Sequence, residues 1–467
     1  MHPLNARSPL PERSRRWLGV AVICLAQLLV VLDASIMNVA MPSVQRALHI
    51  SESTRQWGVT SYMLAFGALL LLGGRVADHT GRRRAFVVGL AGFAACSTAG
   101  GLAANGLMLF AMRAGQGAFA ALLAPAALAL LSTAFSDPSD RAKAFGCYGA
   151  VFGAGSAAGL IAGGALTALA SWRWCMVIAA PFALCAALAA PRVLDESRTD
   201  GARRYDLPGA LTAALGLGGL VYGVSAAQEH GWNSAWAWGC FTAALILLTV
   251  FVRLQRRGSD PLLPPRVLAD RRRVAGMLAV GLGGLAVTGI FLLLSYYLQR
   301  DLGMSALATG VSSLPYSAGM AVSAALGGRL LPRTGPLPLI TGGLTVAALG
   351  VLLLARVSGE DDYLTAVLPG LLVLSAGVGA MFSAASATAL DRVPERDSGT
   401  AGAVLNSFSE IAGALGSAIL ATLVTTAGTG PAAAVHGYRT AFVFSAVVLV
   451  LGAGAVALLL RERRTAG

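Results

Sequence analysis

Long apolar runs, separated by short polar, arginine-bearing or Gly/Pro-rich stretches, follow one another from Trp17 to Leu460. About 18 or more apolar residues suffice for a helix to cross a bilayer. In lipid every backbone polar group must be satisfied within the chain, which a helix does by itself. The breaks divide the sequence into fourteen predicted spans: 17–40, 57–76, 85–104, 107–134, 143–168, 174–191, 208–227, 234–252, 274–298, 307–328, 338–355, 364–389, 400–426 and 439–460. The narrowest break is Asn105-Gly106, whose turn chemistry separates spans three and four. The chain is therefore expected to be an all-α integral membrane protein.

Arginine placement tests this map. With the N-terminus inside, the cytoplasmic segments hold 28 of the 35 basic residues, and the exterior loops and edges hold six: Arg46, Arg55, Arg173, Arg300, Arg356 and Arg439. Arg113 alone lies well inside a span, away from its edges. Such an excess on one side is what the positive-inside rule requires, and a missed helix would reverse it downstream. The net charge of +13 thus reflects orientation, and no nucleic-acid partner is expected. Both termini are predicted to be cytoplasmic. Arg13, Arg15 and Arg16 precede a run without a small-residue cleavage site, so the first run reads as a retained span.

The break after span two reads GGRVADHTG, Gly73 to Gly81, and the break after span ten reads GGRLLPRTG, Gly327 to Gly335. Their shared positions predict two six-helix repeats. The expected organisation is a cytoplasmic tail (1–16), an N-terminal bundle (17–191), a linker (192–207), an inserted pair (208–252), a second linker (253–273), a C-terminal bundle (274–460) and a tail (461–467). Transporters built from parallel halves place their site between them.

Ionisable residues inside spans are costly and are functional candidates by default. Asp33 and Glu410 are the acidic residues well inside spans. Desolvation favours the neutral form of a carboxyl group, which suits it to loading and releasing protons. Asp33 lies about 24 Å from the cytoplasmic end at ~1.5 Å per residue. Arg113 lies at a similar depth, so a pair between them is allowed, direct or through Gln116 or water. Such a pair could equally be a permanent structural bridge. Glu410, near the midplane, could meet a cationic substrate or a proton, or hydrogen-bond Asn406. Gly155, Gly159 and Gly163 recur every four residues and make one smooth helix face. In the loop from Gly74 to Arg84, Asp78 and the arginines could form a conformational clasp or act only in topology. The six cysteines and five histidines show no metal or disulfide pattern, and no HExxH or GxxxxGK[ST] run is present. Neither an enzyme nor an ATP-driven pump is expected.

With these motifs the whole chain resembles the major facilitator superfamily, and within it the drug:proton antiporters with fourteen spans. LDASIMNVAMP, Leu32 to Pro42, is similar to that family's span-one motif and carries Asp33 and Asn38. Gly74, Asp78, Gly81, Arg82 and Arg83 match the superfamily's loop motif, a gating clasp. RAGQG, Arg113 to Gly117, resembles the span-four motif tied to proton transfer. SWRW (Ser171 to Trp174) and YDLPGA (Tyr205 to Ala210) match the starts of spans six and seven. Gly146, Gly155, Gly159, Gly163 and Gly164 match the exporter motif of span five, with Leu160 where a proline is usual. Glu410 stands where the related span-thirteen pattern has Gln or Arg, and Pro332 replaces the acidic residue in the second loop.

The resemblance implies a major facilitator fold: two six-helix bundles plus two inserted helices, 14 in all. It implies a monomeric antiporter of the plasma membrane that needs no cofactor. Protons would drive export of a small-molecule drug or antibiotic by alternating access. An uptake symporter and a non-transporting sensor are the rival readings.

Overall fold

A computed structural model describes residues 11–51, 54–134, 137–197, 206–258, 261–263, 268–358, 362–391, 395–427 and 431–461. Tyr205 and half of the first linker lie outside them, as do the outermost parts of both tails. Among the described residues the chain is helical, in fourteen segments. The first eight are α1 (Glu12–Leu48), α2 (Trp57–Thr80), α3 (Arg82–Gly101), α4 (Gly106–Thr133), α5 (Pro138–Leu169), α6 (Trp172–Val193), α7 (Leu207–His230) and α8 (Ala235–Arg257). Then come α9 (Arg271–Asp301), α10 (Ala306–Ser312 and Leu314–Thr334), α11 (Pro336–Leu354), α12 (Tyr363–Leu390), α13 (Glu395–Thr425) and α14 (Pro431–Leu460).

Twelve are long and apolar enough to cross a membrane by length and composition among the described residues. The chain is thus a multi-pass membrane protein. In α5 only Ala158–Leu169 registers as a short apolar helix, and α10 is broken at Ser313. Pro315 follows that break and cannot donate to the carbonyl of Val311, which explains it. Pro181 interrupts α6 at Ile178 in the same way. Helix α1 runs past its expected span at both ends, because apolar length sets the crossing segment while hydrogen bonding carries the helix on into polar surroundings.

Caps explain several starts. Asn105, Ser171, Asp206, Ser234, Asp270 and Ser305 each accept a backbone N–H of the following first turn. Such a side chain satisfies a donor that the helix cannot.

In the first half α1 packs on α5 and α6, α2 on α4, and α3 on α4 and α6. In the second, α9 packs on α13 and α14, α10 on α12, and α11 on α12 and α14. Each pairing in one half has its counterpart in the other. The halves meet through α2 with α13 and α5 with α10, and α7 lies against both α2 and α13.

Contact between the halves concentrates at the end far from the N-terminus of α1. There Ile36, Met37, Ala40, Met41 and Val44 share one apolar cluster with α9. Gln299 donates to the Val39 carbonyl at 3.0 Å, and the Arg55 guanidinium stacks 4.2 Å from the Tyr296 ring centroid. At the near end the buried members of the cluster around Val20, Ile23 and Ala26 belong to the first half, and from the second half Ala403 of α13 packs against it. A Cβ built on Gly402 of α13 would meet nothing within 4 Å. The far end is thus closed by contacts between the halves.

Candidate functional site

Arg113 and Gln116 are three residues apart on α4, hence on one face. Both are fully buried, and Asp33 of α1 is 1% exposed. Arg113 Nη1 donates directly to Asp33 Oδ2 and at 3.0 Å to Gln116 Oε1. Gln116 Nε2 donates to Asp33 Oδ1 at 2.9 Å and to Ser97 Oγ of α3 at 2.8 Å. Arg113 Nε donates to the Gly58 carbonyl of α2 at 3.1 Å. The Arg113 guanidinium also lies 4.6 Å from the Tyr62 ring centroid. Both carboxylate oxygens are therefore held by donors from one helix, and four helices supply the network. Glycine makes the approach possible: a Cβ on Gly117 would strike the Tyr62 carbonyl, and one on Gly115 would come within 2.7 Å of Cys96 Sγ.

Burial makes the pair consequential. Two charges leave water at a cost of several kcal/mol each, and losing one partner strands the other at a penalty of about 3–5 kcal/mol. Protonation of Asp33 removes one of the two charges without removing any atom. Such a site changes its charge balance whenever a proton arrives.

Helix α1 is placed by the α5 glycines. Gly155 faces Leu28 and Val31, Gly159 faces Leu32 and Ser35, and Gly163 faces Ile36. These contacts straddle Asp33. A Cβ on Gly163 would come within 2.8 Å of the Ile36 carbonyl, so only a small residue permits this approach. Gly164 faces the other half, at Ala306 and Leu307. Leu160 is buried with Val39 and Ala306, and its carbonyl abuts Gly310. Gly146 lies in α5, with its surroundings outside the described residues.

Glu410 of α13 lies at the contact between the halves, and among the described residues it makes no hydrogen bond to the Asp33 network. A Cβ on Gly67 of α2 would come within 3.0 Å of Glu410 Cβ and 3.3 Å of the Ser407 carbonyl. Asn406 is exposed, and among the described residues no hydrogen bond joins it to Glu410. Asn38 donates to the Ala34 carbonyl at 3.3 Å, while its Oδ1 is buried without a partner.

In the near-end loop Asp78 accepts from Arg82 at 3.2 Å. Gly74 faces Pro125, and Gly81 takes φ 104°, a left-handed value that glycine favours. The anion at the start of α3 is Glu196, which follows α6. It accepts the Arg83 N–H at 3.0 Å and lies 3.7 Å from Arg83 and 3.8 Å from Arg84. Carboxylates are favoured at a helix N-terminus. Sequence reasoning missed Glu196, Ser97 and Tyr62. For Glu196 a signal existed, because Asp195-Glu196 are the two adjacent acidic residues of the first linker. Ser97 and Tyr62 carry none, since a serine and a tyrosine in apolar runs look like ordinary packing.

Known proteins share this build. The chain is 48% identical to the puromycin resistance protein of Streptomyces alboniger, covering 94% of this chain and 90% of that one. It is 36% identical to the cephamycin export protein of Amycolatopsis lactamdurans (92% and 90% covered). It is 32% identical to the lincomycin resistance protein of Streptomyces lincolnensis (88% and 85%). Among solved structures, a bacterial homolog to the human lysosomal transporter Spinster, inward-facing and unoccupied, superposes with a TM-score of 0.69. At 18% identity it covers 95% of this chain and 97% of that one, a likeness of fold. The family model of the Major Facilitator Superfamily matches residues 23–417 and 276–467. With its paired helix packing and its buried polar network, the chain belongs to the Major Facilitator Superfamily.

Proposed function

We propose that this protein exports an amphipathic drug or antibiotic across the plasma membrane in exchange for protons. The near end is the cytoplasmic one, with both termini inside. The ranges 17–191 and 274–460 move as two bundles, with 208–252 as an inserted pair. The protein works as a monomer without a cofactor. The relatives named for resistance and export support the direction of transport, and the arginine asymmetry supports the orientation.

The observation that carries proton coupling is the buried Asp33–Arg113 pair, tied through Gln116 and Ser97 to α3. The α5 glycines hold α1 over the turns that flank Asp33, beside the far-end seal. Opening of that seal gives external protons access to Asp33. Protonation neutralises the carboxylate and loosens its hold on Arg113. Return to the near-end-open state exposes the site to the cytoplasm, where the proton leaves and drug binds. The drive is adequate, at ~2.3 kcal/mol per charge per 100 mV plus ~1.36 kcal/mol per pH unit. Glu410 and Asn38, with Asn406 nearby on α13, are the polar groups offered to a substrate between the halves. Gly74, Asp78, Gly81, Arg82 and Arg83 form the near-end clasp that changes with the state.

The test is transport of puromycin by proteoliposomes under an imposed pH gradient. Asp33→Asn should abolish gradient-driven movement while the protein remains folded and inserted. Gradient-driven transport at the wild-type rate in Asp33→Asn vesicles would refute the assignment.

A further inference from the structure

We propose that Tyr62 sets the pH at which Asp33 takes up its proton, by holding the Arg113 guanidinium on its ring face when Asp33 is neutral. The inference rests on the reading of Asp33 as the proton carrier. Its geometry is specific. The Tyr62 ring centroid is 4.6 Å from the guanidinium carbon of Arg113. Tyr62 is 2% exposed and Arg113 is fully buried. The Tyr62 hydroxyl is buried without a hydrogen-bond partner among the described residues, as is Arg113 Nη2. The contact that Tyr62 makes with the network is thus through its ring.

A proton on Asp33 leaves Arg113 as a buried cation whose counter-charge is gone. Its remaining supports are neutral: the Gly58 carbonyl and Gln116 Oε1, the acceptor oxygen that a protonated Asp33 keeps, and the π face of Tyr62. The attraction of a desolvated guanidinium to an aromatic face does not depend on Asp33. In the ionised state the carboxylate already balances Arg113, and the ring adds little. In the protonated state the ring carries a larger share of the cation's stabilisation. Tyr62 therefore stabilises the protonated site more than the ionised one. Removing the ring makes proton loading harder.

Other groups act on the same space. Titratable or charged side chains reach it from α1 (Asp33), α2 (Tyr62), α4 (Arg113), α6 (Cys175) and α13 (Glu410). Cys96 of α3 faces Gly115 of α4. Of these, Tyr62 is the one whose ring lies on the guanidinium. It is a positioning residue, acting on Asp33 through Arg113.

The test follows the infrared band of the protonated carboxyl in purified protein across pH, isolated as the difference between each protein and its Asp33→Asn form. Tyr62→Leu should move the midpoint toward acid by about one pH unit, tenfold in proton affinity, equivalent to ~1.4 kcal/mol. Tyr62→Phe keeps the ring and should stay within about 0.3 unit of wild type. A Tyr62→Leu midpoint equal to wild type overturns the proposal, as does a Tyr62→Phe shift as large as that of Tyr62→Leu. If Tyr62→Leu inserts poorly, Tyr62→Met serves as the ring-less variant. A second readout needs no titration: Tyr62→Leu should lower the melting temperature more in the Asp33→Asn background than in wild type. Equal drops count against the ring's role. If no carboxyl band titrates with Asp33, or Asp33→Asn keeps gradient-driven transport, the coupling reading falls and this proposal with it. A titrating Asp33 that ignores Tyr62 sinks this proposal alone.

Discussion

The two halves of the molecule share a scaffold and differ in chemistry. Helix α1 on α5 is matched by α9 on α13, and α2 on α4 by α10 on α12. The loops after α2 and α10 both turn on a left-handed glycine, Gly81 at φ 104° and Gly335 at φ 76°. Yet Asp78 of the first loop is matched by Pro332 in the second, and Glu196 docks on the first loop only through the segment after α6. Where α1, α3 and α4 meet in the first half, Asp33, Ser97, Arg113 and Gln116 form a buried polar network. Where α9 and α12 meet in the second, Gly276 packs on Ala385 and Ala389, and Gly283 packs on Met381. A repeat keeps what backbone geometry needs, and one copy can shed what charge coupling needs.

The sharpest way to break this comparison is to remove charge from the first half. Arg113→Ala leaves Asp33 buried without its cation, at a cost of about 3–5 kcal/mol. The expected result is a large fall in melting temperature and in recovery from detergent. Asp33→Asn, which removes the other charge but keeps hydrogen-bonding atoms, should cost less. If Arg113→Ala melts like wild type, the pair contributes nothing to the fold of the first half.

Scaffold comes next. Gly163→Leu forces side-chain atoms toward the Ile36 carbonyl, where a Cβ alone would already lie 2.8 Å away. Overpacking of this kind costs about 1–3 kcal/mol, and displacement of α1 carries Asp33 with it. Transport should fall well below wild type while membrane insertion persists. Gly342 of α11 is a control, because a Cβ there meets nothing within 4 Å. Gly342→Ala should leave melting and transport within experimental error of wild type.

These cases show what the sequence makes legible. Hydrophobic run length and arginine asymmetry define the helices because lipid imposes them on every residue. The two GGR loops reveal the repeat because turns demand particular residues. Asp33 and Arg113 stand out because a charge in a span is expensive. Ser97 and Tyr62 do not, because their role comes from which helices are neighbours, and no local pattern encodes that. The breaks in α6 and α10 follow from Pro181 and Pro315, and the prolines were present in the sequence. Their consequence depends on whether the surrounding helices tolerate a kink, which is a tertiary matter. Glu196 stood out as acidic, but its target lies 113 residues away along the chain and no local pattern marks it.

A smaller effect separates the two loops. Glu196→Ala removes an acceptor from the first turn of α3 and a partner of Arg83 and Arg84, and should cost about 1 kcal/mol. Arg333→Gln, in the exposed last turn of α10, should fall within about 0.5 kcal/mol of wild type. Equal costs at the two positions would mean that the second loop has its own charge contact.

The smallest expected difference concerns Arg15 and Asp195, which tie the start of α1 to the segment after α6. Arg15 donates twice to the Asp195 carboxylate, at 2.7 and 3.0 Å. That hydrogen-bonded guanidinium holds the Asp195 carboxyl below its usual range. A carboxyl depressed in the folded state adds stability that is full above its unfolded value, near 3.8, and is lost as pH falls through the folded one. Melting temperature should therefore carry this pair's full contribution, unchanged, between neutral pH and about pH 5, and decline below about pH 4. Asp195 is 77% exposed, so salt and water screen the pair and its worth stays under about 1 kcal/mol. Asp195→Asn should match wild type in strong acid, fall slightly below it at neutral pH, and lose that difference in high salt. A difference that survives high salt would place the interaction outside simple surface pairing. The near end of the first half would then be held by packing of the Arg15 stem rather than by charge.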